Sequence, residues 1–173
     1  MSEIKIDAIN HGMTRLNIFT GIPFTQFCVT FEQAAPAYDP TVFLDCRTWA
    51  QVTETMEQFA PHGLVVYARL DAGTMLALTG TQVRSVEYLL GNHVIAETMF
   101  RHDPNALLYA PLRVLVFSDD HGDAVVAIDW PSSVFCGLDN DAVTKTGHLL
   151  DGKVAGLLGA IGVEIGDGRD ELR

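Results

Sequence analysis

His93, Glu97, Arg101, His102 and Asp103 place five ionisable side chains within eleven residues, in a half of the chain otherwise rich in apolar runs. An imidazole near neutrality can move protons or bind a metal, and a neighbouring carboxylate can fix its tautomer. Helical phase decides which of these groups can cooperate. At about 100° per residue, His93, Glu97 and Arg101 share one line, whereas His102 falls about 180° from His93. The two histidines therefore cannot grip one ion, and a third ligand would have to come from Asp129 or His62. No metal site is expected. Two readings remain. The ladder is a solvated face whose pairs add about 0.3 kcal/mol each, or it edges a pocket, with Glu97 orienting His93 and with Met99 and Phe100 as apolar wall.

Charges also interrupt the predicted strands: Arg69, Glu87 with Arg84, Arg113 and Asp129. Each shares a strand face with apolar neighbours, where an unpaired charge would be costly to bury. Cross-strand ion pairs on a wet sheet face are the plain account. A concave sheet surface is the alternative, with Arg69 and Arg113 meeting an anion and Glu87 and Asp129 setting their geometry. Tyr109 could aim its hydroxyl into such a pocket, although a half-buried core tyrosine explains it equally.

Covalent catalysis finds little support. No GxSxG elbow occurs, and Cys136 beside Phe135 reads as buried. Ser132-Ser133 after Pro131 reads as a loop. Gly152, Gly156 and Gly159 recur along the last predicted helix, each costing about 1 kcal/mol relative to Ala. Close approach to the sheet, or to a second copy, is the expected compensation. Asp151-Gly152-Lys153-Val154 lacks the pattern of a phosphate loop.

These residues need a scaffold. Arg15 to Thr20 alternates as a first strand, broken by Gly21-Ile22-Pro23. Phe24, Phe27, Cys28 and Phe31 follow at helical spacing, and Pro36 ends that helix. Thr48 caps a helix to about Phe59, with Glu54 and Glu57 outward. Leu64–Leu70 and Gln82–Leu90 are strands, separated by a short helical turn that begins at Asp71 and closes at Gly80. Asn92 caps the helix carrying His93, which stops before Asp103-Pro104. Leu112–Ser118 and Asp123–Trp130 form a hairpin around Asp119-Asp120-His121-Gly122. A last helix spans about Asp141 to Ile161, and residues 1–12 and 164–173 are expected to be loose.

One domain of 173 residues is expected, of class α+β. Eleven basic against twenty-two acidic residues, with only three lysines and no basic run, argue against nucleic acid and against an anionic membrane surface. No apolar run approaches the ~18 residues of a membrane span, and no signal peptide is evident. Cys28, Cys46 and Cys136 are odd in number and scattered, which suits a reduced, cytoplasmic protein.

Several blocks in order carry a family resemblance: Ala60-Pro61-His62-Gly63 through Asp71, Glu87-Tyr88-Leu89-Leu90-Gly91-Asn92-His93, Ile95-Ala96-Glu97, Arg101-His102-Asp103-Pro104, and Leu108-Tyr109-Ala110-Pro111-Leu112-Arg113-Val114. The chain resembles the bacterial family known as domain of unknown function 302, over a core of about 45–160. The resemblance implies a curved, mainly antiparallel sheet with helices packed on one side, similar to the TATA-binding-protein class. It implies no activity and no DNA binding. Much of the family reads Gly-Asn-Pro where this chain has Gly91-Asn92-His93, so any role of His93 belongs to a branch.

The expected function is a binding or regulatory domain, dimeric, holding a small amphipathic or anionic ligand between the sheet and the 93–102 helix. Arg69, Glu87, His93, Glu97, Met99, Arg101, Tyr109, Arg113 and Asp129 are the candidate contacts. An enzyme with His93 as general base, or a haem or metal carrier using His93 or Met99, are the alternatives. The sequence defines no cofactor and leaves enzymatic activity open.

Overall fold

The structure, a computed structural model, describes residues 4–165. Five strands form one sheet in the order β1-β5-β4-β3-β2, and every pairing is antiparallel. Their ranges are β1 Arg15–Pro23, β2 Val65–Leu70, β3 Ser85–Gly91, β4 Leu112–Ser118 and β5 Asp123–Asp129. The helices are α1 Phe24–Ala34, α2 Trp49–Phe59, α3 Gly73–Leu76, α4 His93–Phe100, α5 Pro131–Phe135 and α6 Asp141–Ala160.

Strand alternation decides what is covered. Val86, Tyr88, Leu90, Val114, Val116, Ala124, Val126 and Ile128 point to one side and are buried. The aromatic stripe of α1 (Phe24, Phe27, Phe31) and the apolar stripe of α6 (Val143, Leu150, Val154, Leu157) close over them as one core. A satellite cluster lies beside it, where Met56 of α2 and Ala60 just past its end meet Val65, Tyr67 and Val94. Val66 belongs to the main core and its neighbour Val65 to the satellite, so β2 feeds both.

Helix starts follow local chemistry. Thr48 and Gln51 form a capping box on α2, Asn92 accepts from the Val94 and Ile95 N–H groups on α4, and Asn140 does the same for α6. Asp119 Oδ1 accepts from the backbone N–H of His121 at 2.8 Å and of Asp123 at 2.9 Å, which folds the β4–β5 turn.

Three expectations need correction. Gly21-Ile22-Pro23 does not break β1: Gly21 takes a left-handed φ of 64° and the strand continues through an irregular register to Pro23. Thr20 patches that irregularity, its hydroxyl donating to Ala124 O at 2.7 Å and accepting from Ile22 N at 3.1 Å. Pro131-Ser132-Ser133 is not a loop but the first turn of α5, with proline at its start. The third concerns glycine. A side chain at Gly152 or Gly156 would meet open space, and one at Gly159 only the Glu164 carboxylate at 3.8 Å. The tight glycine of α6 is Gly147, where a Cβ would lie 3.0 Å from Phe135 Cβ and 3.1 Å from Ser132 Cα. It lets α6 lie against α5. The expected loose tail at 164–173 falls outside the described residues beyond Ile165.

The sheet has two different edges. Along β2 the segment Pro36–Tyr38 adds a parallel bridge, Val66 N donating to Pro36 O at 2.9 Å and Tyr38 N to Val66 O at 2.8 Å. The other edge is β1.

Candidate functional site

α4 begins immediately beyond β3, and Asn92 fixes that junction. Its Oδ1 caps α4, while its Nδ2 donates to Gly63 O at 2.9 Å, tying α4 to the entry of β2. His93 therefore sits at the first turn of α4, beside β2. There the β2–β3 register shifts between Val66 and Ala68, leaving Tyr67 at the irregularity. The Tyr67 hydroxyl reaches His93 Nδ1 at 3.0 Å. Gly91 makes room for this: a Cβ there would lie 3.3 Å from both Tyr67 Cε2 and Pro111 Cβ.

Aromatic rings enclose the pair. Tyr38 lies 4.6 Å from Tyr67 centroid to centroid, and Phe43, Tyr38 and Trp49 stand 5.0, 5.8 and 6.3 Å from the His93 ring. Burial disfavours charge on both partners. It holds His93 below the usual imidazole value and pushes Tyr67 up to about 12, against a small opposing pull from the His93 backbone N–H. At neutral pH both are uncharged. A neutral phenol can donate or accept; when it donates, Nδ1 accepts and the imidazole proton resides on Nε2, the arrangement we assign here.

The dyad borders a cavity of about 290 Å³ between the end of β3, α4 and the Leu107–Leu112 segment. Leu90, Ile95, Ala96, Met99, Leu107, Pro111, Leu112 and Leu150 form its wall, and Tyr67, Asn92 and His93 border it, although the surface it presents is almost wholly apolar. The arrangement suits a small apolar guest. Among the described residues no three His, Cys, Asp or Glu side chains gather as a metal-ligand set.

The candidate contacts separate into several places. His93 and Met99 line the cavity. Glu97 does not orient His93: it is held by Arg101, whose Nε donates to Oε1 at 2.9 Å in an exposed pair one turn further on. Phe100 is exposed rather than part of the wall. Tyr109 points elsewhere, its hydroxyl 3.0 Å from His11 Nε2 and its ring edge-on to Phe135.

Arg69 and Arg113 do not converge. Arg69 pairs across the sheet with Tyr88 and so faces the core side, where it donates to Glu32 of α1 at 2.9 Å. Tyr88 donates to the same carboxylate oxygen at 2.7 Å. Arg113 alternates with buried Leu112 and Val114, faces the opposite side and donates to Glu87 at 2.7 Å. Asp129 accepts from Arg15 at 2.8 and 3.1 Å. Each arginine already has a carboxylate, and neither borders the cavity.

Tyr67 is the site residue that sequence reasoning passed over. Its signal was a phenol inside the apolar run Leu64–Leu70, whose hydroxyl needs a partner when buried.

No curated protein matches the chain. No helix of the described residues is long and apolar enough to cross a membrane. The fold is similar to the crystal structure of an uncharacterized conserved protein DUF302 from Bacillus stearothermophilus. The TM-score is 0.61 at 11% identity, over 84% of this chain and 95% of that one, a likeness of fold alone. A family model described as Domain of unknown function DUF302 matches residues 47–160, about two thirds of the sequence, and on that match the chain belongs to the DUF302 family.

Proposed function

We propose that this domain binds a small, predominantly apolar, uncharged molecule in the cavity beside α4. The observation that carries this reading is the cavity wall itself: an almost wholly apolar surface of aliphatic side chains, bordered at one corner by the hydrogen-bonded pair Tyr67 and His93. An anionic ligand loses its motivation, because Arg69 and Arg113 are engaged with Glu32 and Glu87 away from the cavity. The His93 branch of the family would then be the branch in which this corner is polar.

Binding of small neutral probes tests the proposal. Benzene and cyclohexanone contain six and seven heavy atoms, and at about −0.6 kcal/mol per atom they should bind near millimolar. Both should shift the Met99 methyl resonance in NMR spectra, whereas benzoate should act more weakly. Ala96→Phe fills the cavity and should abolish the response. No shift at Met99 with any probe, or an undiminished shift in Ala96→Phe, rejects the reading.

A second reading, acid–base catalysis, is favoured by one observation. His93 is uncharged and half-buried, and it is hydrogen-bonded to a second proton-carrying group, the Tyr67 hydroxyl. Tyr67 takes the place first expected for Glu97.

A further inference from the structure

The face of the sheet turned away from the core carries an ordered pattern. Cross-strand register lays it out in three rows. One row runs Phe19, Val125, Phe117 and Ser85; the next runs Asn17, Ala127, Leu115, Glu87 and Leu70. The third begins with Arg15 opposite Asp129, continues with Arg113 opposite Leu89 and ends at Ala68. Apolar groups thus occupy one end and the middle, and ion pairs rim the other end. Phe19 is 74% exposed, Leu115 40% and Leu70 50%, whereas Val125 is covered by its neighbours in the single copy. Soluble proteins seldom leave such a band bare without a use for it.

We infer that this sheet face is the contact surface between two copies of the chain, packed sheet on sheet. Area supports that occupant. Five strands about 4.8 Å apart and about six residues long present a face of roughly 500 Å², so two copies bury about 1,000 Å², the lower bound of a specific interface. Charge supports it too. The whole chain carries a formal charge of −11, which opposes self-association through most of its surface. On this face Arg15 and Arg113 are each matched by a carboxylate, Asp129 and Glu87, so copies can meet here with little repulsion. Packed at the usual ~10 Å, Phe19, Phe117 and Leu115 of each copy would interdigitate.

Sedimentation equilibrium of the full chain tests this. The expected result is reversible dimerisation, complete by about 100 µM for an interface of this size. Phe19→Lys and Leu115→Lys each place a charge in the contact and should weaken it at least about tenfold. Both sites are open in the single copy, so at dilutions where the wild type is monomeric too, circular dichroism should show the variants melting as the wild type does. Gly156→Glu, on the open side of α6, should leave association intact. A monomer at 100 µM overturns the proposal. So does a dimer that both lysine variants leave intact, or one that Gly156→Glu alone disrupts.

Discussion

The Tyr67 hydroxyl lies 3.0 Å from His93 Nδ1, although the two residues are 26 positions apart and on different elements. Burial keeps this imidazole neutral, and the sign of its pH effect follows. The folded value lies below the unfolded one, near 6.5, so the unfolded chain takes up the proton first as pH falls. Its stabilising contribution is whole above about pH 6.5 and is lost as pH drops through the folded value. Urea midpoints at pH 7.5 and 5.5 should differ more for the wild type than for His93→Gln. Parallel changes in the two proteins would contradict this.

Tyr67→Phe removes the donor and leaves His93 Nδ1 half-buried without it. The expected cost is about 1 kcal/mol, and the tautomer preference of His93 should weaken. Histidine ¹⁵N shifts report that preference directly. A variant with unchanged stability and unchanged Nε2 protonation would refute the assigned hydrogen bond.

The two sheet arginines should behave differently. Arg113 is 78% exposed, and losing its pair with Glu87 should cost no more than about 0.5 kcal/mol. Arg69 shares Glu32 with the fully buried Tyr88, so Arg69→Ala disturbs a network and should cost about 1 kcal/mol or more. Neither change should alter the Met99 shift produced by cyclohexanone. An Arg113→Ala protein that loses that shift would place the arginine back in the site.

Glycine replacements in α6 should split by sign. Gly152→Ala and Gly156→Ala meet no neighbour and should stabilise by about 0.5–1 kcal/mol each. Gly147→Ala presses on the α5 backbone and should destabilise by about 1–3 kcal/mol. Thermal melts of the three variants decide it, and a stabilised Gly147→Ala would contradict the packing of α6 on α5.

Asn92→Ala should cost about 1–2 kcal/mol, because it uncaps α4 and frees Gly63 O together. Asn92→Ser restores a cap but cannot reach Gly63, so it should recover only part of the loss. Full recovery in Asn92→Ser would show that the tie to Gly63 contributes nothing.

What was legible in the sequence was local. The spacing of Phe24, Phe27, Cys28 and Phe31 marked the buried side of α1, and Thr48 and Asn92 marked helix starts, because each signal acts within one or two turns. Arg113 beside Glu87 was half legible, since strand alternation gave the shared face but not the partner. Arg69 was not, because Glu32 comes from α1, 37 residues away. Tyr67 met His93 only through the irregular β2–β3 pairing, a register that no short window reveals. The regular spacing of Gly152, Gly156 and Gly159 pointed to a packed side, yet the neighbour that mattered was α5. Its five residues carry too little periodicity to be seen beforehand.

The bridge that Pro36–Tyr38 lays along β2 has a consequence for polymerisation. A sheet that grows by adding copies head to tail needs two free rims, one to offer and one to receive. Here the rim at β2 is blocked at its start, its Val66 N–H and C=O groups engaged by Pro36 and Tyr38. Strand addition is then easier through β1 than through β2, and two β1 rims that meet consume each other. Pairing of two β1 rims ends growth by that route, which protects a chain that leaves Phe19 in solvent on that same strand.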